Sequence, residues 1–290
     1  MPSFSEQLRV EAEPIWRQIF DHPILKEIKN GTLPLETFQY YLAQDYLYLE
    51  GFGRTVAMAL AKAPDSQTLQ DLARRVMTPV ERPLHHKLLA EAGLTLDDAQ
   101  NAVRSPTNTA YVDHMLQTAS LHGLGPTAAA LLPCPWTYHL LKDEIGQSEH
   151  PLYGQWTRFY VEGFLEGSVE AWRGFVDQMA ENAGPVELEA MRQAFMTSSR
   201  YEYMFWEAAY NRQQWPVYDL RSSQRKLFLY DYGGRHYLLH TGQSPDSFYS
   251  LLLMLHALRL CLVIPPYYYT QKITHKVIRP GLILSSQYLR

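Results

Sequence analysis

The chain has 290 residues, of which 46% are hydrophobic and 19% are charged, a composition typical of a globular protein rather than of a disordered chain. Its two cysteines, Cys134 and Cys261, are too few for a disulfide framework or a multi-thiolate zinc site. The charged N-terminal segment lacks the apolar region of a secretory signal, so we expect a cytoplasmic protein.

The distribution of charge divides the chain near Pro216. Residues 1–216 contain 17 Lys and Arg against 27 Asp and Glu, a net charge of −10, whereas residues 217–290 contain 9 against 3, a net charge of +6, with no Glu and no Trp. An acidic body argues against nucleic acid as a partner, because binding to phosphates needs a basic face. We therefore expect a domain over 1–216 followed by a basic, Tyr-rich tail over 217–290.

Apolar residues recur at intervals of three and four throughout the first 216 residues, which predicts an all-α fold. Prolines, glycines and capping residues between these stretches mark the ends of the helices. The predicted helices are, in chain order, 4–20, 35–62, 66–91, 107–122, 125–146, 150–181 and 186–213. The loops are short, so consecutive helices are expected to pack side by side in an up-down bundle.

Two carboxylates fall on apolar helix faces. Asp45 lies in the middle of the apolar stripe of helix 35–62, and Glu202 lies in that of helix 186–213. A carboxylate on a core-facing stripe must be paired, hydrogen-bonded or protonated, because a buried charge without a partner is costly. Each alone is compatible with a structural carboxylate, and a buried pair that shares a proton for structural reasons stays open. Two such groups facing one core favour a pocket with polar groups in an aromatic wall.

Cys134 lies between Pro133 and Pro135. Pro135 suits the first turn of a helix, which would place the thiol near a helix N-terminus and favour the thiolate. In the alternative, a helix beginning at residue 125 runs through and the prolines kink it, freeing a carbonyl near the pocket. The stripe that carries Cys134 and Tyr138 points the thiol inward in both cases. A lone buried cysteine is usually an inert core residue, so its interpretation depends on its neighbours.

Tyrosines supply further polar groups to the predicted pocket. Tyr111 and Tyr160 lie on the apolar faces of their helices, where each could be an ordinary core residue with a satisfied hydroxyl. Stacked rings with hydroxyls at the rim suit a flat heteroaromatic ligand. Together with the thiol and the two carboxylates, they predict covalent attack on an electron-poor ring, with one acid protonating a ring nitrogen. Spacing alone does not name the substrate.

Six segments resemble the TenA family, thiaminase II or aminopyrimidine aminohydrolase, and they occur in the family's order over nearly all of the first 216 residues. They are HPILKEIKNGTLPLETFQYYLAQDYLYL (22–49), ERPLHHKLL (81–89), TAYVDHML (109–116), LLPCPWTY (131–138), HPLYGQWTRFY (150–160) and SSRYEYMFWEAAY (198–210). The Gln-Asp-Tyr, Pro-Cys-Pro-Trp and Tyr-Glu-Tyr-x-Phe-Trp patterns are specific in combination, whereas each alone is weak.

This resemblance implies a heme-oxygenase-like helical bundle that forms a homotetramer and uses no metal or organic cofactor. It implies hydrolysis of 4-amino-5-aminomethyl-2-methylpyrimidine to the hydroxymethyl pyrimidine and ammonia, and cleavage of thiamin into pyrimidine and thiazole. By position, it implies Cys134 as the nucleophile, Glu202 as the acid/base group and Asp45 as the residue that binds the aminopyrimidine edge. The residues implied to position and stack the ring are Tyr48, Tyr111, Tyr138, Tyr160 and Phe205.

Two other interpretations are open. Bundles of this shape also bind heme or two irons, and Glu81 with His85 offers one carboxylate–histidine pair, but no His follows Glu202 by three or four residues. His22 directly precedes a proline at a helix break, which disfavours it as a heme ligand. The other interpretation is a non-catalytic pyrimidine-binding or regulatory protein, although nothing here resembles a helix-turn-helix with a basic recognition face.

The tail does not match the family. It holds nine of the 20 tyrosines and an apolar run over 248–264, which is interrupted by His256 and Arg259 and is too short for an expected membrane span. Three explanations are open: an accessory segment packed on the bundle, a membrane-surface anchor with a basic rim, and sequence beyond a natural stop that was never selected to fold. The abrupt change in composition favours the last.

Overall fold

The computed structural model describes residues 2–77 and 82–217, together with two strands at 226–230 and 236–240. The chain divides into two units, Met1–Pro216 and Val217–Arg290. Within its described residues the first unit contains helices and no strands, so the prediction of an all-α fold is confirmed.

Twelve helices lie in the described part of the chain. They are α1 Phe4–Phe20, α2 Pro23–Asn30, α3 Leu35–Leu60, α4 Ser66–Met77, α5 Arg82–Glu91, α6 Leu96–Gln100, α7 Pro106–Leu121, α8 Leu124–Leu131, α9 Pro133–Glu144, α10 Tyr153–Val161, α11 Glu166–Glu181 and α12 Pro185–Tyr210. Most helix ends fall within a few residues of the predicted breaks, because proline, glycine and capping residues mark those ends in the sequence.

One prediction of a continuous helix, over 125–146, is wrong. The structure divides this segment at Leu132, between α8 and α9, although Leu132 keeps helical backbone angles of φ −62° and ψ −37°. The reason is local, because Pro133 and Pro135 have no N–H to donate to the carbonyls of the preceding turn.

A second predicted helix, over 150–181, is also divided in the structure. Residues 162–165 separate α10 from α11, and Gly163 has φ +76°. This left-handed backbone angle favours glycine, which has no Cβ, and it ends the helix there.

The segment predicted as one helix over 66–91 is described as α4 and α5, and residues 78–81 between them lie outside the described part. Neither α2 nor α6 is among the predicted helices. Both begin with a side-chain cap: His22 Nδ1 accepts from the Ile24 N–H at 3.2 Å, and Thr95 Oγ1 accepts from the Asp98 N–H at 3.1 Å.

The core of the bundle is built around aromatic rings, and α12 lies at its centre, packed on α1, α3, α7 and α8. Trp16 of α1 stacks on Phe195 of α12 at a centroid distance of 5.9 Å, and its indole N–H donates to Ser199 Oγ at 3.0 Å. The next residue around α12, Ser198, donates through its Oγ to the Ala130 carbonyl of α8 at 2.7 Å. These buried polar contacts determine which face of α12 looks toward α3 and α7.

The two described strands belong to the second unit and form an antiparallel pair, β1 Lys226–Tyr230 and β2 His236–His240, with Lys226 opposite His240. The sequence analysis does not predict them. The apolar run over 248–264 lies outside the described residues, so the three explanations of the tail stay predictions. No helix in the described residues is both long enough and apolar enough to cross a bilayer.

Two glycines on α3 differ in what surrounds them. A Cβ added at Gly51 would lie 2.5 Å from Val112 Cγ1 of α7, whereas a Cβ added at Gly53 would meet nothing within 4 Å. Gly51 therefore permits the close approach of α3 and α7, the helices that carry Tyr48 and Tyr111.

We expect Gly51→Ala to lower the free energy of unfolding by about 1–3 kcal/mol, because the methyl group overlaps Val112 in a packed interface. Gly53→Ala is the matched control on the same helix, and we expect it to raise stability by about 0.5–1 kcal/mol through helix propensity alone. Urea unfolding followed by circular dichroism measures both. Equal effects of the two substitutions would contradict the proposed role of Gly51.

His22 links α2 to α12 in a buried contact. Its Nδ1 accepts from the Ile24 N–H, so the proton of the neutral ring lies on Nε2, which faces Glu207 Oε2 at 3.0 Å. A second proton on Nδ1 would oppose the Ile24 N–H. Burial lowers the pKa of His22 below its usual 6.5, although Glu207 acts in the opposite direction.

Because the pKa of His22 is lower in the folded state than in the unfolded state, the unfolded chain binds more protons below about pH 6.5 and stability falls as the pH falls. We expect His22→Asn, which keeps a capping side chain but cannot titrate, to lose less stability between pH 7 and pH 5 than the wild type. Urea unfolding at both pH values measures the difference. Parallel pH profiles of the two proteins would contradict the prediction.

Candidate functional site

All eight predicted site residues lie in the buried interior of the bundle, and none exposes more than 7% of its surface. They are Asp45 and Tyr48 on α3, Tyr111 on α7, Cys134 and Tyr138 on α9, Tyr160 on α10, and Glu202 and Phe205 on α12. Three of these helices carry two of the residues, spaced three or four positions apart. Each such pair therefore lies on one helix face.

Glu202 is held by a tyrosine of another helix. Tyr111 Oη donates to Glu202 Oε1 at 2.6 Å, and the Tyr111 ring lies between Tyr48, at a centroid distance of 5.0 Å, and Tyr201, at 5.2 Å. The pKa of Tyr111 is raised well above its usual 10, first by burial and then by the charge of Glu202. The hydroxyl therefore stays protonated at neutral pH and acts as the donor.

The thiol of Cys134 shares this neighbourhood. Burial raises the pKa of Tyr48 well above 10, and the charges of Cys134, Tyr111 and Glu202 act in the same direction. The charge of Cys134 also contributes to the raised pKa of Tyr111. Cys134 and Glu202 therefore both influence the pKa values of Tyr48 and Tyr111.

The backbone at Cys134 combines features of both alternatives drawn from the sequence. Cys134 is the second residue of α9, which corresponds to a position near a helix N-terminus, yet the backbone remains helical through Leu132. Thr137 Oγ1 donates to the Cys134 carbonyl at 3.1 Å. The prolines thus interrupt the hydrogen-bond pattern while the direction of the helix is largely kept.

Asp45 lies on the other side of the site, and two side chains converge on one of its oxygens. His85 Nε2 of α5 lies 2.7 Å from Asp45 Oδ2, and Tyr41 Oη donates to the same oxygen at 3.3 Å. Tyr41 also contacts Tyr138 Oη at 3.3 Å and accepts from the Trp156 indole N–H at 3.2 Å. The carboxylate is therefore one end of a buried polar network that spans four helices.

Tyr138 connects the two sides of the site. Burial raises its pKa well above 10, and the charges of Tyr41 and Asp45, then of Glu202, add to this effect. Phe205 spans the same gap, because its ring lies 6.3 Å from that of Tyr41 and 5.6 Å from that of Tyr48.

Tyr160 completes the aromatic wall on the side of Tyr138. Its ring lies 5.2 Å from that of Tyr138 and 4.9 Å from that of Trp156. All the predicted residues thus belong to one continuous cluster of rings and acids, which presents a thiol, two carboxylates and tyrosine hydroxyls. Such a set can bind a flat polar ring and can supply both a nucleophile and a proton.

The sequence analysis did not identify His85 and Tyr41 as site residues. Tyr41 lies one helical turn before Asp45 on the same face, which was an available signal. His85 was considered only as a partner of Glu81, which lies outside the described residues, and nothing in the sequence pairs α5 with Asp45. In the part of the chain that the structure describes, no group of three or more His, Cys, Asp or Glu is arranged to hold a metal ion.

We expect Tyr111→Phe to lower the free energy of unfolding by about 1–3 kcal/mol, because it removes a donor from the buried Glu202. Tyr201→Phe is the matched control: its ring stacks on Tyr111, and its hydroxyl makes no hydrogen bond within the described residues. Urea unfolding compares the two variants. A loss of stability no larger for Tyr111→Phe than for Tyr201→Phe would show that the contact with Glu202 contributes nothing.

The chain is similar to proteins of known family. It is 32% identical over 219 residues to the aminopyrimidine aminohydrolase of Halalkalibacterium halodurans, which covers 73% of this chain and 98% of the relative. The solved structure of a TenA homologue from P. horikoshii OT3 matches with a TM-score of 0.66 and 34% identity, and covers 72% of this chain and 99% of that chain.

A domain from Shewanella denitrificans OS217 described as having a heme oxygenase-like fold matches with a TM-score of 0.57 and 10% identity, and covers 71% of this chain and 92% of that chain. This likeness concerns the fold alone, and it confirms the prediction of a heme-oxygenase-like bundle. The model of the TENA/THI-4/PQQC family matches residues 9–212. Because this match covers more than half of the sequence, the chain belongs to the TENA/THI-4/PQQC family.

Proposed function

We propose that this protein is an aminopyrimidine aminohydrolase that converts 4-amino-5-aminomethyl-2-methylpyrimidine and water to the hydroxymethyl pyrimidine and ammonia, and that also cleaves thiamin into pyrimidine and thiazole. The observation that carries the proposal is that two buried carboxylates, Glu202 and Asp45, accept from tyrosines of one cluster of rings, with the buried Cys134 one turn before Tyr138 of the same cluster. The relative that is 32% identical is named an aminopyrimidine aminohydrolase, which supports the first of these two reactions.

The two carboxylates are proposed to act on different parts of the ligand. Asp45 has its Oδ2 engaged by His85 and Tyr41, so its Oδ1 is suited to accept a hydrogen bond from the exocyclic amino group of the pyrimidine. Glu202, which accepts from Tyr111 Oη at 2.6 Å, is proposed to protonate a ring nitrogen. Phe205 lies between the two sides, and its face offers a stacking surface for the ring.

The proposed reaction begins when the Cys134 thiolate forms a C–S bond to the ring carbon next to the one that bears the aminomethyl group. A ring nitrogen takes a proton from Glu202, and the ring loses its aromaticity. The aminomethyl group, in its ammonium form, then leaves as ammonia as the electron pair of the dearomatised ring breaks the exocyclic C–N bond. Water adds to that carbon and gives a proton to Glu202. Cleavage of the C–S bond, with loss of the ring N–H proton to solvent, restores the aromatic ring and the thiolate.

Tyr111 determines which oxygen of Glu202 carries the proton in this scheme. Its hydroxyl donates to Oε1, and its raised pKa keeps it a donor throughout the neutral range. An oxygen that accepts this bond is a poor place for the acidic proton. The proton of the acid form is therefore proposed to lie on Oε2, directed at the ligand.

The first test measures ammonia release and pyrimidine product from the purified full chain with the aminomethyl pyrimidine and, separately, with thiamin. We expect turnover of both. Binding of the hydroxymethyl pyrimidine without ammonia release would favour a pyrimidine-binding or regulatory protein. The absence of both binding and turnover would reject the proposal. The resemblance also supports a homotetramer, which light scattering on the same sample measures.

We expect Cys134→Ser to lower turnover by about three orders of magnitude or more, because a hydroxyl of ordinary pKa is a far weaker nucleophile than a thiolate at neutral pH. Binding of the hydroxymethyl pyrimidine, measured by calorimetry, should change little, since the substitution exchanges one atom in the wall. Turnover within about tenfold of wild type would exclude covalent catalysis by Cys134.

A further inference from the structure

His85 is a deeply buried histidine beside the site that takes no part in the steps of the proposed reaction. It exposes 1% of its surface, and it lies on α5, a helix that contributes none of the eight predicted site residues. Its Nε2 lies 2.7 Å from Asp45 Oδ2. The structure thus places a histidine nitrogen within ion-pair distance of a buried carboxylate oxygen, where an N–H on Nε2 would be stabilised by that oxygen.

The oxygen of Asp45 that His85 contacts affects which oxygen is left to face the ligand. His85 and Tyr41 both approach Oδ2, from α5 and from the preceding turn of α3. Two side chains against one oxygen restrict the rotation of the carboxylate group, because a turn that brought Oδ1 toward them would break both contacts. Tyr41 is itself held by the indole N–H of Trp156 at 3.2 Å.

We propose that His85 is a positioning residue of the active site: its Nε2–H holds Asp45 Oδ2 so that Oδ1 is presented to the exocyclic amino group of the aminopyrimidine. This inference rests on the proposed function. It adds to that function a reason for the recognition of an amino group, since a carboxylate held in this orientation and without a proton accepts hydrogen bonds and donates none. A pyrimidine with an oxo group at the same position would place one acceptor oxygen against another, and no hydrogen bond would form.

The test compares His85→Gln with His85→Asn. The amide nitrogen of Gln reaches about the position of Nε2 in histidine, whereas that of Asn reaches only about the position of Nδ1, so the two polar variants differ in whether they can contact Asp45. For His85→Asn we expect KM for the aminomethyl pyrimidine to rise about tenfold or more while kcat changes less, because Cys134 and Glu202 are untouched. His85→Gln should restore KM to within about threefold of wild type.

His86 provides the matched control, because it follows His85 on α5 and is exposed. His86→Asn should leave KM and kcat unchanged. If His85 had a purely structural role, His85→Asn would lower the melting temperature and would change KM and kcat together. His85→Gln would then restore KM no better than His85→Asn does. That outcome, or a KM of His85→Asn within twofold of wild type, would overturn the proposal.

A double-mutant comparison tests whether His85 acts on KM through Asp45. In an Asp45→Asn background, His85→Asn should raise KM little further, because the contact is already lost. If the two substitutions instead multiply their effects on KM, His85 does not act through Asp45 and the proposal fails.

A measurement without catalysis separates this inference from the proposed function. In wild-type protein we expect a hydrogen-bonded imidazole proton in the NMR spectrum that is lost in His85→Asn, shifted in Asp45→Asn and retained in His86→Asn. If wild type releases no ammonia, the proposed function fails, and this resonance still tests the contact. The absence of such a resonance would reject the positioning role whether or not the enzyme is active.

Discussion

Two carboxylates inside a helical bundle impose the constraint on which the rest of the site depends. A buried carboxylate needs donors, because the interior has no bulk water to stabilise its charge. Glu202 accepts from the hydroxyl of Tyr111, and Asp45 accepts from that of Tyr41 and lies 2.7 Å from His85 Nε2. Each of these side chains carries a ring, and Tyr111 and His85 belong to other helices than the acids. The contacts that stabilise the buried acids therefore also bring aromatic rings around them.

The same constraint links the local irregularities of the fold to the site. Gly51 lets α3 and α7 approach closely, and this brings Tyr48 within 5.0 Å of Tyr111. Pro133 and Pro135 interrupt the hydrogen bonds between α8 and α9 at the point where Cys134 enters the interior. The residues that break ordinary helix rules therefore lie beside the residues that carry the proposed chemistry.

The division of the aromatic rings into two halves gives the site its chemical asymmetry. On one side, Glu202 accepts from Tyr111, whose ring lies 5.0 Å from that of Tyr48, and here the proposed proton donor acts. On the other side, Asp45 belongs to a network of fixed donors. Raised tyrosine pKa values on both sides keep the hydroxyls protonated, so they orient acids rather than compete with them as bases.

The sequence by itself determined the class of fold, the inward faces of the long helices and the identity of the unusual polar groups on those faces. This is possible because helical periodicity is local: Asp45 or Glu202 can be placed on an apolar stripe from neighbours within two turns. The prolines around Cys134 likewise marked the irregular position, although the sequence left two backbone alternatives there and the structure contains features of both.

Only the tertiary structure decided which donors from other helices meet the acids and the rings around them. Tyr111 and Glu202 are 91 residues apart, and Tyr41 and Trp156 are 115 apart, so their contacts depend on the rotation and axial shift of whole helices. These variables are determined by the packing of many side chains at once, and they leave no short-range signal in the chain. For that reason His85 was invisible as the partner of Asp45 in the sequence, although the acid itself was evident.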